Sequence, residues 1–326
     1  MLTCRLLMEQ GIEVIGLSFK SCFFGTLKAR KAAEQLGIRL IERDFSPKHL
    51  DIVKKPKYGY GKNMNPCIDC HSLMFMIAKE IMEEEGIDFV ASGEILGQRP
   101  KSQNKDALGI VARYSGLNDL LVRPMSAQHL EETRPEKEGI LDRSKLMDIK
   151  GRRRDKQLEL VKKFDIKQYA SPGGGCLLTD PAYSDRLREM IAIWPECDGN
   201  DVDLIKNGRV SWLKIKMEEG ERDVLVVIGR DKKDCDNLEN LAKTGDIVIR
   251  LKEMVGPTTV LRIKNYELKI TNGIKELDIP EELDFKLLQN NNGKDEEQII
   301  NDAALLTAYY SVKARGGKHK IEIIKK

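Results

Sequence analysis

The first 95 residues alternate between helical and strand-like hydrophobic patterns. Apolar residues recur at helical spacing in three segments, and each of these ends at a glycine, namely Gly11, Gly37 and Gly86. Short apolar runs of strand length follow each helical segment. The predicted helices cover residues 1–10, 27–36 and 72–85, and the predicted strands cover residues 12–18, 38–43 and 88–94. This alternation predicts an α/β unit with a parallel sheet.

In an open parallel sheet, ligands bind beyond the carboxyl ends of the strands. Ser18 lies at the end of the first predicted strand, and Gly93 lies where the third runs into a loop. We therefore expect both residues to face a ligand.

The pattern changes after residue 200, where short strands of mixed alternation replace the helix–strand rhythm. The predicted strands cover residues 210–216, 223–228, 247–252 and 260–263, and the predicted helices cover residues 235–244 and 295–312. A basic tail follows from residue 313 to residue 326. We predict two domains, residues 1–195 and 201–326, of which the second is a smaller α+β domain.

Composition and charge exclude several classes of protein. The chain has 326 residues, and its 55 Lys and Arg against 52 Asp and Glu give a net charge of only +3. This balance excludes a histone-like polycation, so a nucleic-acid surface requires local clusters of charge. The sequence shows neither an 18-residue apolar window nor a secretory signal, and we expect a cytoplasmic protein. Seven cysteines in that reducing compartment are not expected to form a disulfide framework.

Three of the cysteines occur in patterns that suggest chemistry. Cys67 and Cys70 form a C-x-x-C pair just before a predicted helix, and Cys176 follows a glycine-rich loop. The pair suits a redox dithiol, half of a zinc site completed by His71 and Cys176, or two distinct catalytic cysteines. Three cysteines with an open fourth position instead suit a [4Fe-4S] cluster, whose unique iron can bind sulfide. In every case we expect the helix amino terminus to lower the thiol pKa.

The run from residue 61 to residue 176 resembles the PP-loop tRNA thiouridine synthases, the group of 2-thiouridylases and 4-thiouridine synthases. Three ordered motifs carry the resemblance: Asn-Pro-Cys-Ile-Asp-Cys-His at residues 65–71, Ala-Ser-Gly-Glu followed by Gly-Gln-Arg-Pro at residues 91–100, and Gly-Gly-Gly-Cys at residues 173–176. The resemblance covers about residues 1–190. It implies a parallel-sheet fold of the adenine nucleotide alpha hydrolase type.

The resemblance also implies an activity. Members of the family use ATP with Mg²⁺ to adenylate the carbonyl oxygen of a tRNA uridine and then deliver sulfur to the activated carbon. By this likeness Cys70 and Cys176 match the catalytic pair, and Cys67 adds the third ligand found in members with an iron–sulfur cluster. The nucleotide or substrate side is expected at Gly93, Gln98, Arg99 and Ser18. The sulfur donor is expected to be sulfide, a sulfur carrier or a cysteine desulfurase.

One departure from the family pattern raises alternatives. The family's Ser-Gly-Gly-x-Asp-Ser loop, which holds pyrophosphate, precedes the helix that matches residues 1–10, and this sequence does not contain it. We therefore expect a chain truncated at its start. The alternatives are a non-catalytic RNA-binding scaffold with a defective ATP site, and a redox or sulfide-handling protein that acts on a small molecule.

The second half is similar to the NFACT-R domain, a module linked with RNA binding. The similarity rests on residues 227–238, 255–257 and 303–315. It implies phosphate contacts from basic side chains, and the first domain adds a basic segment at residues 150–156 that is either a solvated helix start or a phosphate-contacting patch. The candidate RNA-binding residues are Arg152, Arg153, Arg230, Lys232, Lys233, Lys313 and Arg315. We expect Tyr309 and Tyr310 to pack rather than to stack on bases.

Overall fold

The computed structural model of the protein describes residues 1–169, 175–284 and 294–326. The chain divides into two compact units, Met1–Ser184 and Asp185–Lys326. This division falls inside a helix, before the boundary at residues 195–201 that the sequence suggests. The assignment of residues 1–195 and 201–326 to separate domains stays a prediction.

The first unit contains two pairs of parallel strands with helices around them. Its strands are β1 (Gly16–Lys20), β2 (Leu40–Asp44), β3 (Val90–Ala91) and β4 (Leu121–Val122). Its helices are α1 (Leu2–Met8), α2 (Leu27–Leu36), α3 (Ser46–Lys54), α4 (Cys67–Glu84), α5 (Lys105–Tyr114), α6 (Arg134–Lys137), α7 (Asp155–Lys163) and α8 (Pro181–Ile193), the last of which runs into the second unit. Gly16 lies opposite Leu40, and Val90 lies opposite Leu121. The parallel pairs confirm the α/β prediction, while the PP-loop version of this fold stays a prediction.

Several boundaries in the first unit differ from the sequence prediction, and the third strand, predicted over residues 88–94, is only Val90–Ala91. The first strand begins at Gly16 rather than at residue 12, because Ile12 and Val14 pack against the hydrophobic cluster around Leu7 instead of pairing with a strand. Helix α4 begins at Cys67, five residues earlier than predicted. Both cysteines of the C-x-x-C pair therefore lie in its first turn.

Helix α5 was not predicted, although it has a capping signal. The side chain of Asn104 accepts the backbone N–H of Ala107 at 2.9 Å, which satisfies one of the free donors at the helix start. Leu108 and Val111 then bury the apolar face of the helix. The helix begins inside a polar stretch, and this concealed its start.

The second unit is built on one six-stranded antiparallel sheet in the order β5-β6-β8-β7-β10-β9. Its strands are β5 (Arg209–Met217), β6 (Gly220–Ile228), β7 (Ile247–Leu251), β8 (Thr258–Ile263), β9 (Gly273–Ile279) and β10 (Gly317–Lys325). Its helices are α9 (Gly199–Leu204), α10 (Lys232–Leu241) and α11 (Glu296–Tyr309). Ala303 and Ala304 of α11 are buried against Ile249 and Leu261 of the sheet. The antiparallel sheet and its helices agree with the predicted α+β architecture.

The basic tail predicted from residue 313 is mostly a strand. Residues 317–325 form β10, which pairs with both β7 and β9 inside the sheet. Ile321 and Ile323 alternate with polar residues and are buried, so the period of two outweighs the charge of the segment. This part of the chain contributes a core strand rather than a solvated tail.

Among the helices of the described ranges, none combines the length and the apolar composition that crossing a membrane requires.

We predict that His49 makes the first unit lose stability in acid. Its ring stacks on Phe45 with 4.8 Å between centroids, its Nδ1 lies 2.9 Å from the Ser21 hydroxyl, and burial lowers its pKa from 6.5 to about 4. The unfolded chain takes up the proton near pH 6.5, whereas the folded chain resists it down to about pH 4. The stabilisation is therefore complete above pH 6.5 and is lost as the pH falls from 6.5 to 4, by about 3 kcal/mol.

NMR titration of the His49 ring and hydrogen exchange of the α3 amides between pH 7 and pH 4 test this prediction. The His49→Phe variant is expected to lose that part of the pH dependence. A ring that titrates at its ordinary pKa would contradict it.

Candidate functional site

The cysteine site is formed by the first turn of α4 and the segment after Cys176. Cys67 and Cys70 lie three residues apart at the start of α4, and Cys176 directly precedes a short 3-10 turn, Leu177–Thr179. Three hydrogen bonds hold that turn against the first unit: Leu177 N–H to Phe23 O at 3.1 Å, Met64 N–H to Leu178 O at 3.3 Å, and Asn63 Nδ2 to Thr179 O at 2.7 Å. Because residues 63 and 64 directly precede α4, these bonds bring Cys176 towards Cys67 and Cys70. Gly173 and Gly174 of the matching motif lie outside the described residues.

The three thiols influence one another electrostatically. Burial raises the pKa of Cys70 well above its usual value, and the thiols of Cys176 and Cys67 raise it further. Burial also raises the pKa of Cys176 to about 11 and that of Cys67 by less, while the charge of Arg99 lowers both. The helix amino terminus was expected to lower the pKa of these thiols. Their pKa is raised instead, because desolvation of the thiols has the larger effect. The site keeps free thiols protonated at neutral pH.

In the part of the chain that the structure describes, no three His, Cys, Asp or Glu side chains are grouped to hold a single metal ion. His71, the fourth ligand of the zinc alternative, has its Nδ1 hydrogen bonded to Glu94 at 2.8 Å, which leaves its Nε2 as the nitrogen that could bind a metal. The chemistry of the donor set is that of an iron–sulfur cluster, which thiolate sulfurs hold. Cys67, Cys70 and Cys176 would be the ligands of that cluster.

Three side chains joined by hydrogen bonds, which we call the triad, lie beyond the strand ends. Glu94 follows β3, Arg123 follows β4, and His71 lies in α4; Arg123 Nε donates to Glu94 Oε2 at 2.9 Å. Burial alone would raise the pKa of Glu94, but the hydrogen bond from His71 and the charge of Arg123 lower it below its usual value. Glu94 is thus an ionised carboxylate in the interior. The sequence suggested His71 only as a zinc ligand and placed Glu94 at the ligand-binding end of the third predicted strand, but it gave Arg123 no role and did not indicate that the three side chains meet.

The predicted nucleotide-binding residues do not all line the same cavity. The larger, of about 910 Å³, is lined by Gly93 and Gln98, and the smaller, of about 370 Å³, is lined by Ser18, His71 and Glu94. Arg99 lies instead within electrostatic range of Cys67 and Cys176. Gly93 and Gln98 are therefore brought together, whereas Ser18 and Arg99 are placed elsewhere in the same unit.

The larger cavity has polar walls that sequence reasoning missed. Four basic residues line it: Lys28, Lys31, Arg154 and Lys167. Gln157, which is 8% exposed, also lines it, and its Oε1 has no hydrogen-bond partner in the described ranges. The same holds for the buried Nε of Arg154. Positive charge and unpaired polar atoms in one cavity suit an anionic ligand.

The predicted RNA-binding residues are mostly exposed, and several already have partners. Arg153 pairs with Asp155 at 2.8 Å, and Arg230 pairs with Asp234 at 2.6 Å. Arg152, Lys232, Lys233 and Lys313 are exposed and form no such pair with any residue of the described ranges. Tyr309 and Tyr310 pack against the hydrophobic core of the second unit, as expected, and the guanidinium of Arg315 lies 4.2 Å from the Tyr309 ring centre.

Comparison with known proteins gives one short match. The chain is 30% identical over 95 residues to the tRNA-specific 2-thiouridylase MnmA 3 of Bacteroides fragilis strain YCH46, and equally to that of strain ATCC 25285. The match covers 28% of this chain and 26% of each relative, so the chain matches about a quarter of the length of these curated proteins. No protein-family profile matches, and the likeness of residues 201–326 to the NFACT-R domain gains no support.

Among solved structures, the C-terminal part of the fibronectin/fibrinogen-binding protein from Streptococcus suis aligns with 78% of this chain and 77% of its own. The identity is 17% and the TM-score is 0.21, which does not show a common fold. The comparisons thus support, at most, a relationship between part of this chain and the tRNA 2-thiouridylases.

Proposed function

We propose that this protein is an ATP-dependent tRNA sulfurtransferase that converts a uridine into a thiouridine at Cys67, Cys70 and Cys176. The observation that carries the proposal is the shared environment of three thiols, of which Cys70 is buried and Cys67 and Cys176 are partly buried, and which come from a C-x-x-C pair and a loop more than 100 residues away. The short match to a tRNA 2-thiouridylase supports the same reaction class.

The proposed reaction has two steps. The uridine carbonyl oxygen attacks the α-phosphorus of ATP, which forms an oxygen–phosphorus bond and releases pyrophosphate. Sulfide then attacks the activated carbon, the carbon–oxygen bond breaks, and AMP leaves with the former carbonyl oxygen. Neither step requires an oxidant or a reductant. A [4Fe-4S] cluster on the three cysteines would supply an iron without a protein ligand, which can bind sulfide.

The residues of the first unit have distinct roles in this proposal. The cavity of about 910 Å³ is large enough for a nucleotide, and Lys28, Lys31, Arg154 and Lys167 would offset the charge of its phosphates. Burial of the cysteines excludes water from the sulfur site. The ion pair of Glu94 and Arg123 fixes the loops that follow β3 and β4.

The alternative is a non-catalytic RNA-binding scaffold with a defective ATP site. Binding of ATP with Mg²⁺ distinguishes the two, because the scaffold is expected to bind RNA without it. Isothermal titration with ATP, in parallel with Lys28→Ala and Lys31→Ala variants, measures this directly.

We predict that anaerobically reconstituted protein holds about four irons and four sulfides per chain. Replacing Cys67, Cys70 or Cys176 with alanine is expected to abolish both, whereas Cys4→Ala, which removes a thiol from α1, leaves them unchanged. Iron, sulfide and zinc analysis of the five proteins checks the result. Stoichiometric zinc without iron would contradict the cluster, and an iron-free but active enzyme would show that the cysteines themselves carry the sulfur.

A further inference from the structure

The segment just before the cysteine pair is basic and aromatic. Residues 54–62 read Lys-Lys-Pro-Lys-Tyr-Gly-Tyr-Gly-Lys, which gives four lysines and two tyrosines in nine residues. No Asp or Glu occurs between Asp51 and Asp69. The chemistry proposed above uses none of these side chains, so the segment requires a separate explanation.

The segment is fixed to the helix that carries the cysteines. The carboxylate of Asp69, which lies between Cys67 and Cys70 in the chain, accepts the backbone N–H groups of Lys57 at 3.0 Å and Tyr58 at 3.1 Å. The Gly61 N–H donates to Asn65 O at 2.8 Å. A Cβ at Gly61 would lie 2.7 Å from Asn65 Oδ1, so a larger residue there would displace the Asn65 side chain. The lysines are therefore held beside the first turn of α4 rather than on a free loop.

Two residues from other parts of the first unit extend this surface. Tyr114, at the end of α5, is 47% exposed and stands edge-on to Tyr58, with 6.0 Å between ring centroids. Lys57 Nζ donates to the Tyr114 hydroxyl at 2.7 Å, and Lys101 Nζ donates to Tyr58 O at 3.3 Å. We name the whole patch the lysine–tyrosine surface, and its members are Lys55, Lys57, Tyr58, Lys62, Lys101 and Tyr114.

The charges of this surface are available to a ligand. Lys55, Lys57, Lys62 and Lys101 are exposed, and none forms an ion pair with a carboxylate of the described ranges. Arg153 and Arg230, which the sequence suggested as RNA contacts, already pair with Asp155 and Asp234. An unpaired lysine binds phosphate without first giving up a carboxylate, so this surface is a better site for a polyanion than those two arginines.

We propose that the lysine–tyrosine surface binds unpaired RNA next to the three cysteines, with phosphates on its lysines and an unstacked base on Tyr114. This inference rests on the proposed function for the identity of the substrate. A uridine carbonyl reaches buried thiols only when its base leaves the helical stack. Exposed aromatic rings interleaved with lysines suit single strands, because a ring stacks on any base while the lysines follow the backbone.

Binding of a fluorescent unpaired oligoribonucleotide and of an RNA duplex of equal length tests the proposal. The Lys57→Ala/Lys62→Ala variant is expected to bind the single strand about 10-fold to 100-fold more weakly, with a slope of log K against log salt smaller by about 1.4. Tyr114→Ala is expected to bind the single strand about 5-fold to 100-fold more weakly. Tyr114→Phe keeps the aromatic ring and is expected to regain most of this affinity. Lys137→Ala/Lys145→Ala removes two exposed charges elsewhere in the first unit and is the matched control.

Unchanged binding in the variants, or an equal loss for duplex and single strand, would overturn the inference. Circular dichroism of each variant separates a loss of binding from a loss of folding. Thiolation of tRNA by the same samples distinguishes the two proposals. Active wild-type protein whose surface variants bind RNA normally refutes the surface alone, and RNA binding that depends on the surface without any thiolation refutes the sulfurtransferase alone.

Discussion

Serine in place of Cys70 or Cys176 is expected to lower the rate of tRNA thiolation about 10³-fold or more. The substitution changes one atom and keeps the size and the hydrogen-bonding capacity of the side chain. A hydroxyl, however, neither carries sulfur nor replaces a thiolate as an iron ligand. Cys70 is 8% exposed and Cys176 is partly buried, so solvent has little access with which to bypass the missing group.

The measurement is the thiouridine content of tRNA after incubation with ATP, Mg²⁺ and sulfide, read by mass spectrometry of the digested RNA. Cys4→Ser is the control, because it changes a thiol of α1 that lies outside the site. A Cys70→Ser or Cys176→Ser enzyme within 10-fold of wild type would remove that cysteine from the proposed chemistry. Unchanged RNA binding by the variants would show that only the sulfur step is affected.

Loss of Arg262 is expected to destabilise the second unit by about 3 to 5 kcal/mol. This arginine, on β8, is 2% exposed and bridges Asp246 at 2.6 Å and Asp201 at 2.8 Å. Its guanidinium also donates to Asn200 at 2.6 Å and to the Leu241 carbonyl at 3.1 Å. Among the described residues, Arg262→Ala leaves the buried carboxylate of Asp246 without a counter-charge, whereas Asp201 keeps Lys264 and Lys243. A buried charge left unpaired costs more than the pair itself contributes.

The two tryptophans make this measurement specific to one unit. Trp194 and Trp212 are the only tryptophans of the chain, both belong to the second unit, and their rings lie edge to face at 4.9 Å. Urea unfolding followed by tryptophan fluorescence therefore reports on that unit. Arg250→Ala is the control: its ion pair with Glu322 is 43% and 30% exposed, and its loss is expected to cost less than about 1 kcal/mol.

A second variant tests whether an unpaired buried charge causes the loss of stability. Replacing Arg262 with Met while changing Asp246 to Asn removes both charges of that buried pair, leaves Asp201 paired with Lys264 and Lys243, and is expected to recover part of the lost stability. If Arg262→Ala lowers the free energy of unfolding no more than Arg250→Ala does, the ion-pair network around Arg262 does not stabilise the second unit as predicted.

Prediction from the sequence was most accurate for elements whose bounds a single hydrophobic pattern determines. Helix α2 has the predicted bounds of 27 and 36, because its apolar period ends at Gly37, whose φ of 68° favours glycine. Strand β10 was missed because its lysines suggested a solvated tail, and only pairing with β7 and β9 shows that Ile321 and Ile323 are core residues.

The candidate site was predicted in its parts but not in its arrangement. The C-x-x-C motif identified Cys67 and Cys70, yet the rise in thiol pKa comes from burial, which is a tertiary property. The triad of His71, Glu94 and Arg123 joins residues more than 20 positions apart, and no spacing rule indicates that they meet. The lysine–tyrosine surface is local in sequence but depends on Tyr114, which α5 brings from outside the segment.

The place of β10 in its sheet also sets an order of events during synthesis. Residues 317–325 pair with residues 247–251 on one side and with residues 273–279 on the other. Before residues 317–325 have left the ribosome, β7 lacks one of its two neighbouring strands. At that stage β9 has no neighbour among the described strands. The first unit, whose strands pair within its own residues, can fold while the second is still incomplete. Folding of this chain is therefore expected to proceed from the cysteine-bearing unit to the antiparallel sheet.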